Sequence, residues 1–173
     1  MKQLILGGVR SGKSRLAEQR ARSSGRQVIY IATAIAADDT EMQARIRQHR
    51  ARRPQEWLTV EEPIALGSAL RAHASPDRCL VVECLTLWLT NLLVAQPGKL
   101  DDQRRSLCAA VAELSGTLIL VGNETGLGVV PLGALSRRFL DASGELHQTL
   151  AALCDCVTLT VAGLPLELKG PPA

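Results

Sequence analysis

Met1-Lys2-Gln3-Leu4-Ile5-Leu6-Gly7-Gly8-Val9-Arg10-Ser11-Gly12-Lys13-Ser14 joins a short apolar run directly to the pattern G-x-x-x-x-G-K-S. Good helix formers follow from Arg15 to Arg22, with Leu16 and Ala17 on one side and Arg20 on another. A buried strand, a glycine-rich loop and a helix N-terminus in that order make a phosphate cradle. Gly7, Gly8 and Gly12 let the backbone curl so that successive N–H groups point inward. The helix adds its positive dipole end. Lys13 is placed to reach the outer phosphates of a nucleoside triphosphate, and Ser14 Oγ to hold Mg²⁺. The loop specifies phosphates and leaves the base, the acceptor and the reaction open.

Further apolar runs recur between helical stretches. They are Val28–Ala32, Trp57–Val60, Cys79–Val82, Thr117–Val121 and Cys156–Val161. Most are continuously apolar rather than alternating, as in strands buried on both faces of a mostly parallel sheet. Helices are expected over residues 13–23, 39–53, 63–74, 84–95, 101–115 and 134–154. The alternation predicts an α/β, three-layer fold with a parallel sheet between helices, in one domain over residues 1–173. Gln96–Lys99 reads as a turn, Gly163-Leu164-Pro165-Leu166 as the exit from the last strand, and Gly170-Pro171-Pro172-Ala173 as a frayed end of the tail. Ligands of such sheets lie beyond the C-terminal strand ends. The polar residues there are Thr33, Glu61, Glu62, Glu83, Asn123 and Glu124.

Composition narrows the function class. The chain has 173 residues, enough for a full core. Aromatics are only 2%, so the core is aliphatic and no stacking platform for single-stranded nucleic acid is expected. A net charge of +3 is no nucleic-acid signature. Five cysteines, an odd number without a C-x-x-C pair, read as free thiols in a reducing cytosol. No leader and no membrane span is read, so a cytoplasmic enzyme on a small molecule is expected.

Two further places carry chemistry. Glu83 closes the run Cys79–Val82 at the position where a carboxylate orients Mg²⁺ or its water, and it also suits the start of the following helix. The stretch from Asp38 to Pro54 puts Arg45, His49 and Arg52 or Arg53 on one helical face. It reads either as a solvated basic face or as a polyphosphate site with His49 as nucleophile. Neighbouring arginines would keep that imidazole neutral and therefore nucleophilic. Glu61-Glu62-Pro63 fits helix capping or ribose recognition. Asn123-Glu124-Thr125-Gly126-Leu127-Gly128 is a strand-end loop, either a turn or the wall of an active site. His73 and His147 have weaker contexts. Asp141-Ala142-Ser143-Gly144 imitates a GTPase signature but has no strand before it.

Taken in order, the cradle Gly7–Ser14, Tyr30-Ile31-Ala32-Thr33-Ala34, R-I-x-x-H-x-x-R-R-P at residues 45–54, Trp57-x-Thr59-Val60-Glu61, Glu83-Cys84-Leu85-Thr86 with Asn91-Leu92-Leu93, and N-E-x-G-L-G-V-V-P at residues 123–131 resemble a known family. It is the bifunctional adenosylcobinamide kinase / adenosylcobinamide-phosphate guanylyltransferase family. The resemblance runs from residue 1 to about residue 169. It implies phosphorylation of adenosylcobinamide, a corrinoid, by ATP or GTP with Mg²⁺. It further implies transfer of GMP from GTP onto that phosphate through a guanylylated histidine, which falls on His49. Nucleotide contacts carry over to Gly7, Gly8, Val9, Arg10, Ser11, Gly12, Lys13 and Ser14, to Ala32, Thr33 and Ala34, to Arg50, Ala51, Arg52 and Arg53, and to Glu61 and Glu83. The family's homotrimers imply a homo-oligomer. Two departures are Val9, where Ala is familiar, and Gly122, where Ser or Thr is common. The alternatives are a monofunctional kinase with a phosphate-binding loop and a non-catalytic NTP-binding module.

Overall fold

A computed structural model describes residues 1–35, 43, 44, 47 and 54–170. Seven strands form one sheet: β1 (Lys2–Gly7), β2 (Gln27–Ala32), β3 (Leu58–Glu61), β4 (Arg78–Glu83), β5 (Thr117–Asn123), β6 (Cys156–Val161) and β7 (Leu164–Lys169). Their order across the sheet is β3-β2-β4-β5-β1-β6-β7. All neighbours are parallel except β6 and β7. The helices are α1 (Lys13–Ser23), α2 (Leu66–His73), α3 (Leu85–Ala95), α4 (Leu100–Glu113) and α5 (Ala134–Leu153), with a 3₁₀ turn at Pro97–Lys99. Residues 43, 44 and 47 of the helix expected over 39–53 are helical. The rest of that stretch lies outside the described residues, apart from Pro54 at its end.

Alternate strand residues point to opposite faces, so the sheet supports two cores. Ile5, Tyr30, Val81 and Val121 pack beneath Ala17 and Ala21 of α1. Leu4, Ile31, Val82 and Leu120 pack on the other face against Leu89, Leu107 and Leu146 of α3, α4 and α5. Trp88, fully buried there, donates its indole N–H to Ile64 O at 2.8 Å. The expected three-layer α/β arrangement is observed. None of the five cysteines is disulfide-bonded. Among the described residues no helix is long and apolar enough to cross a membrane.

One expectation is corrected. Leu164–Lys169 is an antiparallel edge strand rather than an exit into a tail. Its Pro165 sits where the missing N–H costs little. The turn into it has positive φ at Ala162 (52°) and Gly163 (82°), the backbone of a two-residue hairpin. Arg20, on another side of α1 from Ala17, is turned onto β1, β6 and β7. It is buried, donating to Gln3 Oε1 at 3.1 Å, Thr158 Oγ1 at 2.8 Å and Glu167 Oε1 at 2.6 Å. Thr158 Oγ1 donates to the other Glu167 oxygen at 2.6 Å, so the buried charges are paired and hydrogen-bonded.

Candidate active site

The loop between β1 and α1 is held from below by a distant segment. Thr160 Oγ1 donates to Leu6 O at 3.0 Å, which leaves Ser11 Oγ to donate to Thr160 Oγ1 at 2.9 Å. Gly163 N–H donates to Ser11 O at 2.9 Å, so the hairpin turn buttresses the cradle. A Cβ on Gly7 would collide with Thr160, lying 2.7 Å from its carbonyl oxygen. Gly12 has φ 100°, and a Cβ there would lie 3.0 Å from Gly163 Cα. Arg10 takes the other left-handed position of the loop, with φ 55°. Gly8 is exposed and has open space around it, so neither constraint applies to it.

Lys13 lies folded over the loop, its Nζ donating to Gly8 O at 2.9 Å. Burial pulls its ammonium below the usual lysine range, with Cys84 and Glu83 pulling the other way. Ser14 Oγ donates to Glu83 Oε1, and Tyr30 Oη donates to Glu83 Oε2 at 2.8 Å. The serine of the cradle and the strand-end carboxylate therefore touch, although β5 separates their strands. A hydroxyl and a carboxylate are hard oxygen donors that suit Mg²⁺, which takes one or two protein oxygens and completes its shell with phosphate and water. No cluster of three or more His, Cys, Asp or Glu side chains forms a self-sufficient metal cage among the described residues.

The other predicted residues that the structure describes line the same end of the sheet. Ala32 pairs with Glu61 on one side and Glu83 on the other. Thr33 is fully buried, and its hydroxyl both donates to Cys84 O and accepts from Cys84 N–H, each at 2.7 Å. It clasps β2 to β4, while the partly exposed Ala34 follows it. Glu62 Oε1 accepts from Ile64 N–H at 2.9 Å and Ala65 N–H at 2.6 Å, which is the capping alternative for this residue. His49, Arg50, Ala51, Arg52 and Arg53 lie outside the described residues.

Several contributors were not singled out by residue type. Thr86 Oγ1 accepts from Asn123 N–H at 2.8 Å, and Asn91 Nδ2 donates to Thr33 O at 2.8 Å and Pro63 O at 3.1 Å. These two side chains tie the ends of β2, β4 and β5 together. Tyr30 had only an apolar-strand signal. Glu124 N–H donates to Gly7 O at 3.0 Å, which puts the Asn123–Gly128 loop directly beside the cradle. His147, on α5, is buried with Nδ1 3.9 Å from Glu124 Oε2. Burial pulls its pKa down, and Glu124 opposes that. A cavity of about 390 Å³ opens next to this loop, lined by Thr90, Val94, Thr125, Val129, Pro131 and Phe139 among others.

Residues 3–168 match the family described as cobinamide kinase / cobinamide phosphate guanyltransferase. The chain is 61% identical to the bifunctional adenosylcobalamin biosynthesis protein CobP of Pseudomonas aeruginosa, over 99% of each. It is 39% identical to the protein CobU of the same description from Salmonella typhimurium, covering 96% of this chain and 98% of that one. Its fold is similar to that of the flagellar accessory protein FlaH of Methanocaldococcus jannaschii, with a TM-score of 0.55 at 14% identity over 98% of this chain and 78% of that one. The cradle, the strand-end carboxylate and these matches agree, and the chain belongs to the cobinamide kinase / cobinamide phosphate guanyltransferase family.

Proposed function

We propose that this chain phosphorylates adenosylcobinamide with ATP or GTP and then transfers GMP from GTP onto that phosphate, giving adenosylcobinamide-GDP and pyrophosphate. The observation that carries the triphosphate site is the contact of Ser14 with Glu83 beside Lys13, at the end of the sheet where β1, β5 and β4 lie side by side. In the first step Lys13 and the loop N–H groups hold the phosphates, and the ammonium balances charge on the transferred group. Mg²⁺, when bound, would be held by Ser14 and Glu83 and would supply charge neutralisation between the β- and γ-phosphates.

The second step is assigned to His49 on the R-I-x-x-H-x-x-R-R-P block and the family match. An imidazole nitrogen forms a bond to the α-phosphorus of GTP, the α–β anhydride bond breaks, and pyrophosphate leaves. A phosphate oxygen of adenosylcobinamide phosphate then attacks the same phosphorus and expels the imidazole. Arg50, Arg52 and Arg53 would hold the polyphosphate. Exposed Leu164, Leu166 and Leu168 on β7 form an apolar row that favours the homotrimer of the family resemblance.

The test is covalent labelling. GTP carrying ³²P at the α-position and Mg²⁺ are mixed with the full chain, which is quenched and resolved on a gel. The expected result is acid-labile, base-stable label on the wild type and none on His49→Ala. A wild type that never labels, while turning over cobinamide phosphorylation, leaves the monofunctional kinase as the answer.

A further inference from the structure

The kinase step must remove a proton from the acceptor hydroxyl, and the strand-end carboxylates differ in their freedom to take it. Glu83 has one oxygen on Ser14 and the other on Tyr30. Glu62 is engaged by two backbone N–H groups. Glu61 ends β3, four strand spacings from β1, or roughly 19 Å. Glu124 follows β5, the immediate neighbour of β1, and its backbone is bonded to the first cradle residue, Gly7.

The Glu124 carboxylate is divided between two tasks. Oε1 accepts from Gly126 N–H at 2.6 Å and so sets the turn of the loop. Oε2 accepts no hydrogen bond among the described residues. His147 Nδ1 lies 3.9 Å from it, beyond hydrogen-bond range. The glutamate side chain is 23% exposed, whereas the histidine behind it is buried. Gly122 leaves room for that imidazole, since a Cβ there would lie 3.0 Å from His147 Nε2. The 390 Å³ cavity is lined by the next residue of the loop, Thr125, together with Thr90 and Phe139 among others, and so offers an acceptor alcohol space on the same loop.

We propose that Glu124 is the general base of the phosphoryl-transfer step, with His147 as a positioning residue packed behind it. The inference rests on the kinase reading above. The acceptor O–H proton moves to Glu124 Oε2, and the acceptor oxygen forms the new bond to the γ-phosphorus. The bond from that phosphorus to the β–γ bridging oxygen breaks, and its electron pair leaves with the nucleoside diphosphate.

Glu124→Gln separates this role from a structural one, because the amide oxygen still accepts from Gly126 N–H while the basic oxygen is lost. With the full chain, Mg-ATP and cobinamide, E124Q is expected to lower kcat about 10²- to 10⁴-fold, the usual range for a general base. The nucleotide KM should stay within about twofold, and labelling by α-³²P GTP should be unchanged, since guanylylation uses no acceptor hydroxyl. Glu124→Asp, which keeps a carboxylate, should recover part of the lost rate. E124Q turnover within about fivefold of a working wild type overturns the proposal. So does a loss of kinase activity matched by equal loss of labelling. A wild type that does not phosphorylate cobinamide removes the kinase reading and this inference together.

Discussion

Glu62 and Glu83 look alike in sequence, each following an apolar strand and preceding a helix, yet they do different work. Glu62 stands just past β3 at the edge of the sheet, and its carboxylate accepts from the backbone leading into α2. Glu83 ends β4, one strand removed from β1, and meets the cradle serine. Glu124, past β5 and next to β1, is anchored to the cradle by its backbone and keeps one oxygen open. The lesson is that a strand-end acid takes its role from the strand's position relative to the phosphate loop. Chain order does not reveal that position, because β5 inserts between β1 and β4 after both have been made.

Substitutions sharpen or break this contrast. Beside the loss expected for E124Q, a large effect is expected at the cradle itself. Lys13→Ala should lower cobinamide phosphorylation about 10²- to 10³-fold, the usual cost of losing one preorganised charge-stabilising donor. Unchanged turnover would remove the loop from the reaction. The smallest effect on activity is expected at the sheet edge. Glu62→Ala should cost about 1–2 kcal/mol of stability in urea unfolding, from the lost charge-assisted hydrogen bonds, while kinase turnover stays within about twofold. A kinetic defect in that variant larger than its stability loss would erase the distinction between the two glutamates.

Much of this was legible because the signals are local. The cradle, six of the seven strands and the Glu83 position each come from a run of a few residues that prefer one backbone geometry. What was hidden depends on contacts distant in the chain. Gly7 is required by Thr160 of β6, and the cradle rests on the hairpin turn at Gly163. The β7 segment read as an exit from the sheet, whereas it returns as an edge strand that tolerates Pro165. The burial of Arg20 is not legible locally, because its partners Gln3, Thr158 and Glu167 come from three different strands. Thr86, Asn91 and His147 carry no chemical pattern at all; only the folded sheet brings them to the strand ends. The resemblance drew attention to Glu83-Cys84-Leu85-Thr86 and Asn91, and the hydrogen bonds supply the physical reason.

The central claim is that the nucleoside triphosphate and its metal meet where Ser14 touches Glu83. The most direct measurement is isothermal titration of GTP onto the wild type and Glu83→Gln, each with and without Mg²⁺. The expected result is a tighter wild-type Kd with Mg²⁺. In Glu83→Gln that gain should shrink about 10- to 100-fold, while the metal-free affinity is retained through Lys13 and the loop. An equal gain from Mg²⁺ in both proteins would contradict the assignment of Glu83 and move the metal elsewhere.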